Sequence, residues 1–253
     1  MSLLLPLRLE GSGTRSVEAL PSYLCRLSYV HGVKPGHLIR YLLQHEGSPK
    51  RLDLALGAQA FAALARPNAT TGDIVNLLAK GGAESLPVLQ RSTFLFLSPA
   101  LTRSPVAYAR TLRWCPACFH EQLIGCGHAY LKLSWFLRAV DACDVHRISL
   151  RDTCPHCQYV PHPWRGWMLF DRCVGCGGRL DLVCGSDRKV LNTEAIATDL
   201  VDLVDAIATA HAPFPPSAVN SYIARVFDDA WSNRREHELW RRLPRDECLQ
   251  YMN

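Results

Sequence analysis

Eight residues in the middle of the chain fall into four pairs, each with two residues between its members: Cys115/Cys118, Cys143/His146, Cys154/Cys157 and Cys173/Cys176. A two-residue gap lets a tight turn aim both side chains at one ion while backbone N–H groups soften the thiolate charge. Pro116 and Pro155 follow the first cysteine of their pairs, and Gly177 follows the last. These are turn-forming residues in turn positions. Cys154-x2-Cys157-x15-Cys173-x2-Cys176 matches the four-cysteine zinc spacing. Cys115, Cys118, Cys143 and His146 would make a second site, its halves separated by 24 residues. The expected cofactors are therefore two structural Zn²⁺ ions.

Some choices stay open at this level. His120 and His128 compete with His146 for the fourth position, and Cys126 is a spare thiol. A sequential partition, with neighbouring pairs sharing an ion, has shorter closed loops at the 154–176 site than a cross-brace and is preferred on loop-closure cost. His156, between two ligand positions, reads as a phosphate-contacting or surface histidine and not as a ligand. Cys25 reads as a buried free thiol on an apolar helix face, and Cys126, Cys184 and Cys248 have no partner at useful spacing.

A catalytic zinc keeps an open coordination position, usually beside three protein ligands. Four donors per ion, mostly thiolates, leave none. The chain carries no HExxH, no H-x-E beside a cysteine pair, no P-loop, no dinucleotide fingerprint and no G-x-S-x-G. The reading is a non-enzyme without a small-molecule substrate.

Composition supports a folded zinc protein. Of the 253 residues 48% are hydrophobic and 20% charged, a globular balance. Seven of the 11 cysteines lie in the paired spacings, which suits a metal in a reducing, cytoplasmic setting better than a disulfide framework. No uncharged apolar stretch is long enough to span a bilayer, and the apolar start at residues 1–9 lacks the basic flank of a secretory signal. That start reads as a buried strand or an apolar arm. Residues 1–180 hold 20 Lys and Arg against 11 Asp and Glu, whereas residues 181–253 hold 8 against 12. Seven thiolates and two dications would bring the net charge of +5 down to roughly +2, so the electrostatic case for nucleic acid is modest.

The elements around the cysteines read as mainly α, with small zinc-ribbon or zinc-knuckle β elements. Four regions are expected: a helical, helix-turn-helix-like module over 1–95, a linker with strand over 96–113, a double zinc-finger module over 114–180, and a helical region over 181–253. Pro21 starts a first helix near Ala19, with Leu20, Leu24, Leu27 and Val30 at helical spacing and Gly32 as its stop. Pro35 opens a second helix through Leu38, Ile39, Leu42 and Leu43, and Pro49 a third, short segment. Phe61 to Ala65 form a fourth, closed by Arg66-Pro67-Asn68. Thr71 is expected to cap a fifth helix carrying Ile74, Val75, Leu77 and Leu78, with Gly81-Gly82 behind it. Pro87, Pro99 and Pro105 punctuate residues 87–113 as a linker, in which Thr93 to Leu97 reads as a strand. Tyr130 to Phe136 reads as a strand or short helix beneath the first metal pair. Ile196, Leu200, Leu203, Val204 and Ile207 form one stripe, then come Pro213, Pro215 and Pro216, then a last helix over 217–241. Lys50, Arg51, Arg66 and Lys80 flank the helix-turn-helix-like module and are weak candidates for phosphate contacts. Asp199, Asp202 and Asp205 read as a solvated face.

Several of these residues also resemble a known family. Glu18-Ala-Leu-Pro-Ser-Tyr23-Leu-Cys-Arg26-Leu27 is similar to the E-S-x-x-S-Y-L-x-R-L opening of TniQ proteins, with Ala19 in place of the serine. Arg113-Trp-Cys115-Pro-Ala-Cys118 resembles their R-Y-C-P-x-C entry. Leu133-Ser-Trp135 followed by Cys143-Asp-Val-His146 resembles L-S-W … C-x-x-H, and Leu150-Arg-Asp-Thr-Cys154-Pro-His-Cys157 resembles the L-x-x-x-C-P-x-C after it. The likeness covers about residues 5–180, and the segment after it shows no motif of the family. The resemblance implies a non-catalytic adaptor in target selection for DNA transposition. Such proteins link a target-recognising element to an AAA+ ATPase that recruits the transposase. Relatives in CRISPR-associated transposons join a guide-RNA effector complex to that ATPase. The implied partners are the ATPase, an effector complex or target DNA, and a second copy in a homodimer. The alternative reading is a zinc-containing, sequence-specific DNA-binding transcription regulator.

Overall fold

The computed structural model describes residues 2–46, 61–97, 108–161, 169–183 and 195–210. The described fold is mainly helical. Helix α1 spans Leu20–Val30 and α2 spans Pro35–His45, each with proline in the first turn. Gly32 ends α1 at φ +67, a left-handed position that glycine takes without a Cβ clash. A 3-10 turn at Ala63–Ala65 leads to α3, Ala69–Lys80. Helix α4 is Leu86–Arg91, α5 is Pro116–Cys126 and α6 is Ala195–Thr209. Further 3-10 turns cover Leu95–Leu97 and Leu133–Phe136. Among the described residues, β structure is limited to isolated antiparallel bridges, two of which bracket the Cys143–His146 and Cys173–Cys176 turns: Ala142 with Ser149, and Arg172 with Arg179.

Three local expectations change. Thr71 does not cap α3. Asn68 does, its side chain accepting from the Thr71 N–H at 2.9 Å, while Thr71 itself is buried. Asn68 sits in extended backbone just ahead of the helix, where a short side chain reaches an unsatisfied N–H. Thr93 to Leu97 is a turn and not a strand. The Thr93 hydroxyl donates to Gln90 O and accepts from Leu95 N–H, so a side chain offers the backbone a local alternative to sheet pairing. Pro87 marks the first turn of α4 rather than a linker. Of the two readings for Tyr130 to Phe136, the short helix is correct, and Lys132 ahead of it bridges to Glu18.

The N-terminal residues form an apolar arm without a strand. Leu3 and Leu4 N–H both donate to Gly81 O, Leu7 N–H donates to Ala83 O, and Leu4 and Leu9 are buried. A Cβ on Gly81 would meet Leu4 Cδ1 at 2.9 Å, so a larger residue there would make the Leu4 side chain shift. The segment opened by Pro49, the Pro213–Pro216 run and the 217–241 helix lie outside the described residues.

One connected set of buried side chains runs from Leu4 to Ala208. Helices α1, α2 and α3 pack together, and α6 lies on α4 and on the Leu133–Phe136 turn through Val201, Val204, Ile207 and Ala208. Phe119 of α5 is the hub nearest the cysteines. Its ring stacks on Trp114 at 6.0 Å and meets Trp135 and Phe170 at 6.0 and 6.3 Å. Burying four such rings holds both cysteine clusters to the helical body.

Candidate metal centre

Three of the four ligand pairs sit in the same turn. The N–H of the first cysteine donates to a carbonyl five residues on, and its own carbonyl accepts from the N–H four residues on. Cys143 pairs in this way with Ile148 and Arg147, Cys154 with Tyr159 and Gln158, and Cys173 with Gly178 and Gly177. The fourth residue after each cysteine is left-handed: Arg147 at φ +56, Gln158 at +59 and Gly177 at +71. Each turn also aims an N–H at the cysteine sulfur: His146 N at 3.4 Å, His156 N at 3.4 Å and Gly175 N at 3.3 Å. The remaining pair is built differently. Cys115 precedes α5 and Cys118 lies in its first turn, where the helix's free N–H groups favour thiolate.

These turns bring Cys115, Cys118, Cys143 and His146 together in one group, and Cys154, Cys157, Cys173 and Cys176 in another. Within each group the ligand atoms all lie within 4.8 Å of one another. The partition is therefore sequential, as loop closure favours. His146 Nδ1 stands 3.6, 3.3 and 3.6 Å from the sulfurs of Cys115, Cys118 and Cys143. Sulfur pairs stand 3.5 Å apart at Cys118–Cys143, 3.8 Å at Cys154–Cys176 and 3.7 Å at Cys157–Cys173. A tetrahedral zinc with Zn–S of about 2.3 Å and Zn–N of about 2.0 Å places its donors about 3.8 Å apart for S···S and about 3.6 Å for S···N. Both groups fit that frame and could hold a metal ion.

The electrostatics of the first group point the same way. The Cys143 thiol is held far below the ordinary range by hydrogen bonds from Cys115 and Cys118, while Cys118 is driven far up by its contacts with Cys115 and Cys143. Crowded sulfurs let one ionise at the expense of its neighbours unless a cation sits among them. Lys132 adds a positive charge from outside. It is buried, its ammonium lies 5.7 Å from the Trp135 ring centroid, and it faces the sulfurs of this group. Burial lowers its pKa, but Cys118, Asp144 and Cys143 outweigh that and raise it above the usual lysine value. Three thiolates and a neutral imidazole around a dication leave one negative charge in excess, which this ammonium balances.

The outer contacts are well defined. His146 Nε2 lies 2.9 Å from Glu121 Oε1, so a carboxylate on α5 orients the imidazole whose Nδ1 faces the sulfurs. Asp181 joins the two groups. It receives Arg179, just past Cys176, and lies 3.2 Å from His120 Nδ1, just past Cys118. The Arg179 hydrogen bond is the main cause of its pKa falling to about 2. Trp114 Nε1 donates to Leu180 O, closing the two groups onto each other. Glu121, Lys132 and Asp181 carried no sequence signal as metal-site partners, because their spacing from the cysteines has no local pattern.

The rivals are placed elsewhere. His120 serves Asp181, and His156 Nε2 lies 3.2 Å from Arg179 O. Glu10, Cys126 and His128 form a third cluster, but Arg26 Nη1 stands 2.9 Å from His128 Nε2 and 3.6 Å from Glu10 Oε1, so a guanidinium takes the place a cation would need. Cys25 is buried as expected, and Cys184 and Cys248 lie outside the described residues. Of the basic candidates, Arg66 donates to Ala109 O and lies over the Tyr108 ring, and Lys80 pairs with Glu46 at 2.6 Å. Lys50 and Arg51 lie outside the described residues.

The motif resembling the family opening is a structural joint. Ser22 Oγ donates to Glu18 Oε1 and accepts from Leu131 N–H; Tyr23 OH donates to Leu7 O; Arg26 donates to Glu18 and Arg8 O. Helix α1 is thereby fastened to the segment between the two halves of the first cysteine group. Arg113, which opens the next motif, donates to Trp135 O and Leu137 O, and burial lowers its pKa to about 10. The TniQ family model matches residues 12–150, more than half of the chain, and takes in both features.

The chain belongs to the TniQ family. No curated protein matches it. As a TniQ protein it falls among proteins associated with transposition. The match includes the Cys115–His146 group and ends before Cys154, so the second cysteine group lies beyond the matched span. No helix among the described residues is long and apolar enough to cross a membrane.

Proposed function

We propose that this TniQ protein is a non-catalytic adaptor in transposition target selection, held in shape by two structural zinc ions. It links a target-recognising element, either DNA or an RNA-guided effector, to an AAA+ ATPase that brings the transposase. The observation that carries the reading is the pairing of a TniQ match with two groups of four protein donors each. Cys115, Cys118, Cys143 and His146 would hold one ion, and Cys154, Cys157, Cys173 and Cys176 the other. Zinc bound there supplies folding free energy and rigidity, on the order of 10 kcal/mol per site. Thiolate-rich, four-donor sites leave no position at which a water could be activated.

Rigid turns displaying fixed side chains suit docking. Val145 and Val174 sit at the tips of two such turns and are exposed. Helices α1 and α2, joined by the short turn at residues 31–34, are compatible with part of a helix-turn-helix module. The test is reconstitution: the zinc-loaded protein and an AAA+ transposition ATPase from the same source, mixed with ATP and DNA and then captured on either partner. Retention of the ATPase supports the adaptor. Sequence-specific duplex binding with no retained ATPase would favour a free-standing transcription regulator instead.

A further inference from the structure

We propose that the cleft framed by Arg110, Arg113 and Arg138 is a phosphate-binding site that holds the phosphodiester backbone of nucleic acid. It rests on the adaptor reading, whose target is DNA or an RNA-guided effector, and names the residues that meet the backbone; nucleic-acid binding and ATPase capture are read separately. The cleft has a volume of about 370 Å³ and is lined by Tyr108, Ala109, Arg110, Thr111, Arg113 and Arg138. Three of its six lining residues are arginine, and none is acidic.

The three guanidiniums differ in their commitments. Arg113 forms the floor, its donors spent on Trp135 O, Leu137 O and Arg138 O. Arg110 and Arg138 are exposed, and no described residue forms an ion pair with either. A fourth guanidinium lies behind the wall: Arg66, over the Tyr108 ring, bonded to Ala109 O.

These cations repel one another. Burial is the main cause lowering the pKa of Arg66, partly offset by Tyr108, and Arg110 lowers it further; burial is likewise the main cause at Arg113, where Asp141 and Asp152 raise the pKa and Arg138, a smaller influence than either, lowers it. Like charges gathered around a concave, partly dry surface raise the local potential, and an anion entering it relieves the repulsion. Guanidinium forks meet the paired oxygens of a phosphate two at a time; the Thr111 hydroxyl at the rim is already turned to Asp152 Oδ2 at 3.4 Å, so the two exposed arginines carry the contact. The wider charge favours a phosphate chain over an acidic peptide. Residues 1–180 carry 20 basic against 11 acidic side chains, about +6 once seven thiolates and two dications are counted, a spread field that a run of phosphates engages more fully than a lone carboxylate does.

The experiment is fluorescence anisotropy with the full-length, zinc-loaded protein. The probes are labelled duplex DNA, single-stranded RNA and poly-glutamate, each titrated at several salt concentrations. The variants are Arg110→Ala with Arg138→Ala, Arg110→Lys with Arg138→Lys, and, as a charge-matched control on α2, Lys34→Ala with Arg40→Ala. Unchanged zinc content and thermal unfolding show that each variant is folded. The alanine pair is expected to weaken binding of one or both nucleic acids about tenfold or more at ~0.1 M salt. It should also flatten the log–log salt slope by about 1.5, as two lost phosphate contacts require. The nucleic acid affected identifies which backbone the cleft prefers. The lysine pair should restore the slope. The proposal is overturned if the alanine pair binds nucleic acid like wild type, if the α2 control loses as much, if the lysine pair fails to restore the slope, or if only poly-glutamate depends on the two arginines.

Discussion

Arg26 closes a fork on Glu18 deep in the protein, Nε donating to one carboxylate oxygen and Nη2 to the other. The Glu18 side chain is fully buried and that of Arg26 is 7% exposed. The same carboxylate accepts the Ser22 hydroxyl, whose oxygen receives Leu131 N–H. A single buried charge pair therefore stitches helix α1 to the segment between Cys118 and Cys143.

Removing one partner strands the other charge. Glu18→Gln or Arg26→Met is expected to cost about 3–5 kcal/mol in denaturant unfolding, whereas the double change Glu18→Leu with Arg26→Met should cost clearly less than the sum. Additive losses would show that the two do not act as a pair.

Metal removal is the most direct check on the cysteine groups. Elemental analysis of reduced protein is expected to give two zinc equivalents per chain, and Cys118→Ser and Cys157→Ser one each. Cobalt exchange should show tetrahedral bands with thiolate charge transfer. Because protons compete for thiolate and imidazole, zinc should be released as the pH is lowered. Zinc-free protein with unchanged circular dichroism would contradict the assignment.

Lys132→Met takes away the ammonium facing the Cys118 sulfur. Zinc affinity at the first group should fall roughly tenfold in competition with a chromophoric chelator, in line with losses at outer-shell partners. Lys132→Arg should recover part of it. The second group, measured in a Cys118→Ser background, should not respond.

At Asp181 the folded carboxyl titrates at about 2, below its unfolded value of about 4, chiefly through the Arg179 hydrogen bond. A lowered carboxylate pKa stabilises the fold above the unfolded value, and the contribution is lost as pH falls towards the folded one. Wild type should therefore exceed Asp181→Asn in stability by a constant margin from pH 5 to pH 8. A margin that titrates in the histidine range would assign the effect to His120 instead.

Gln158 holds φ +59 where the equivalent turn after Cys173 carries Gly177. Gln158→Gly removes the Cβ from a left-handed position and should stabilise the second group by up to about 1 kcal/mol, seen as a higher unfolding midpoint.

Local chemistry was legible in the chain. Pro21 and Pro35 mark the starts of α1 and α2, because proline fixes φ and lacks the N–H that a first turn leaves unused. The paired spacings identify eight residues whose donor atoms the fold gathers into two groups, since a ligand pair is closed by its own turn. Thr93 to Leu97 misled because a period of two buries Phe94 and Phe96 in a turn as well as in a strand, and only the Thr93 hydroxyl bonds decide between them.

What the residues determined alone was everything closed within a few positions: helix starts, the paired cysteine turns and the family likeness from Glu18 to Cys157. Tertiary structure decided which pairs share a group, that Lys132 lies buried beside the sulfurs, that Asp181 joins the groups, and that three arginines line one cleft. Those outcomes depend on burial and on partners scores of residues apart, and neither leaves a repeat or a fixed spacing in the chain.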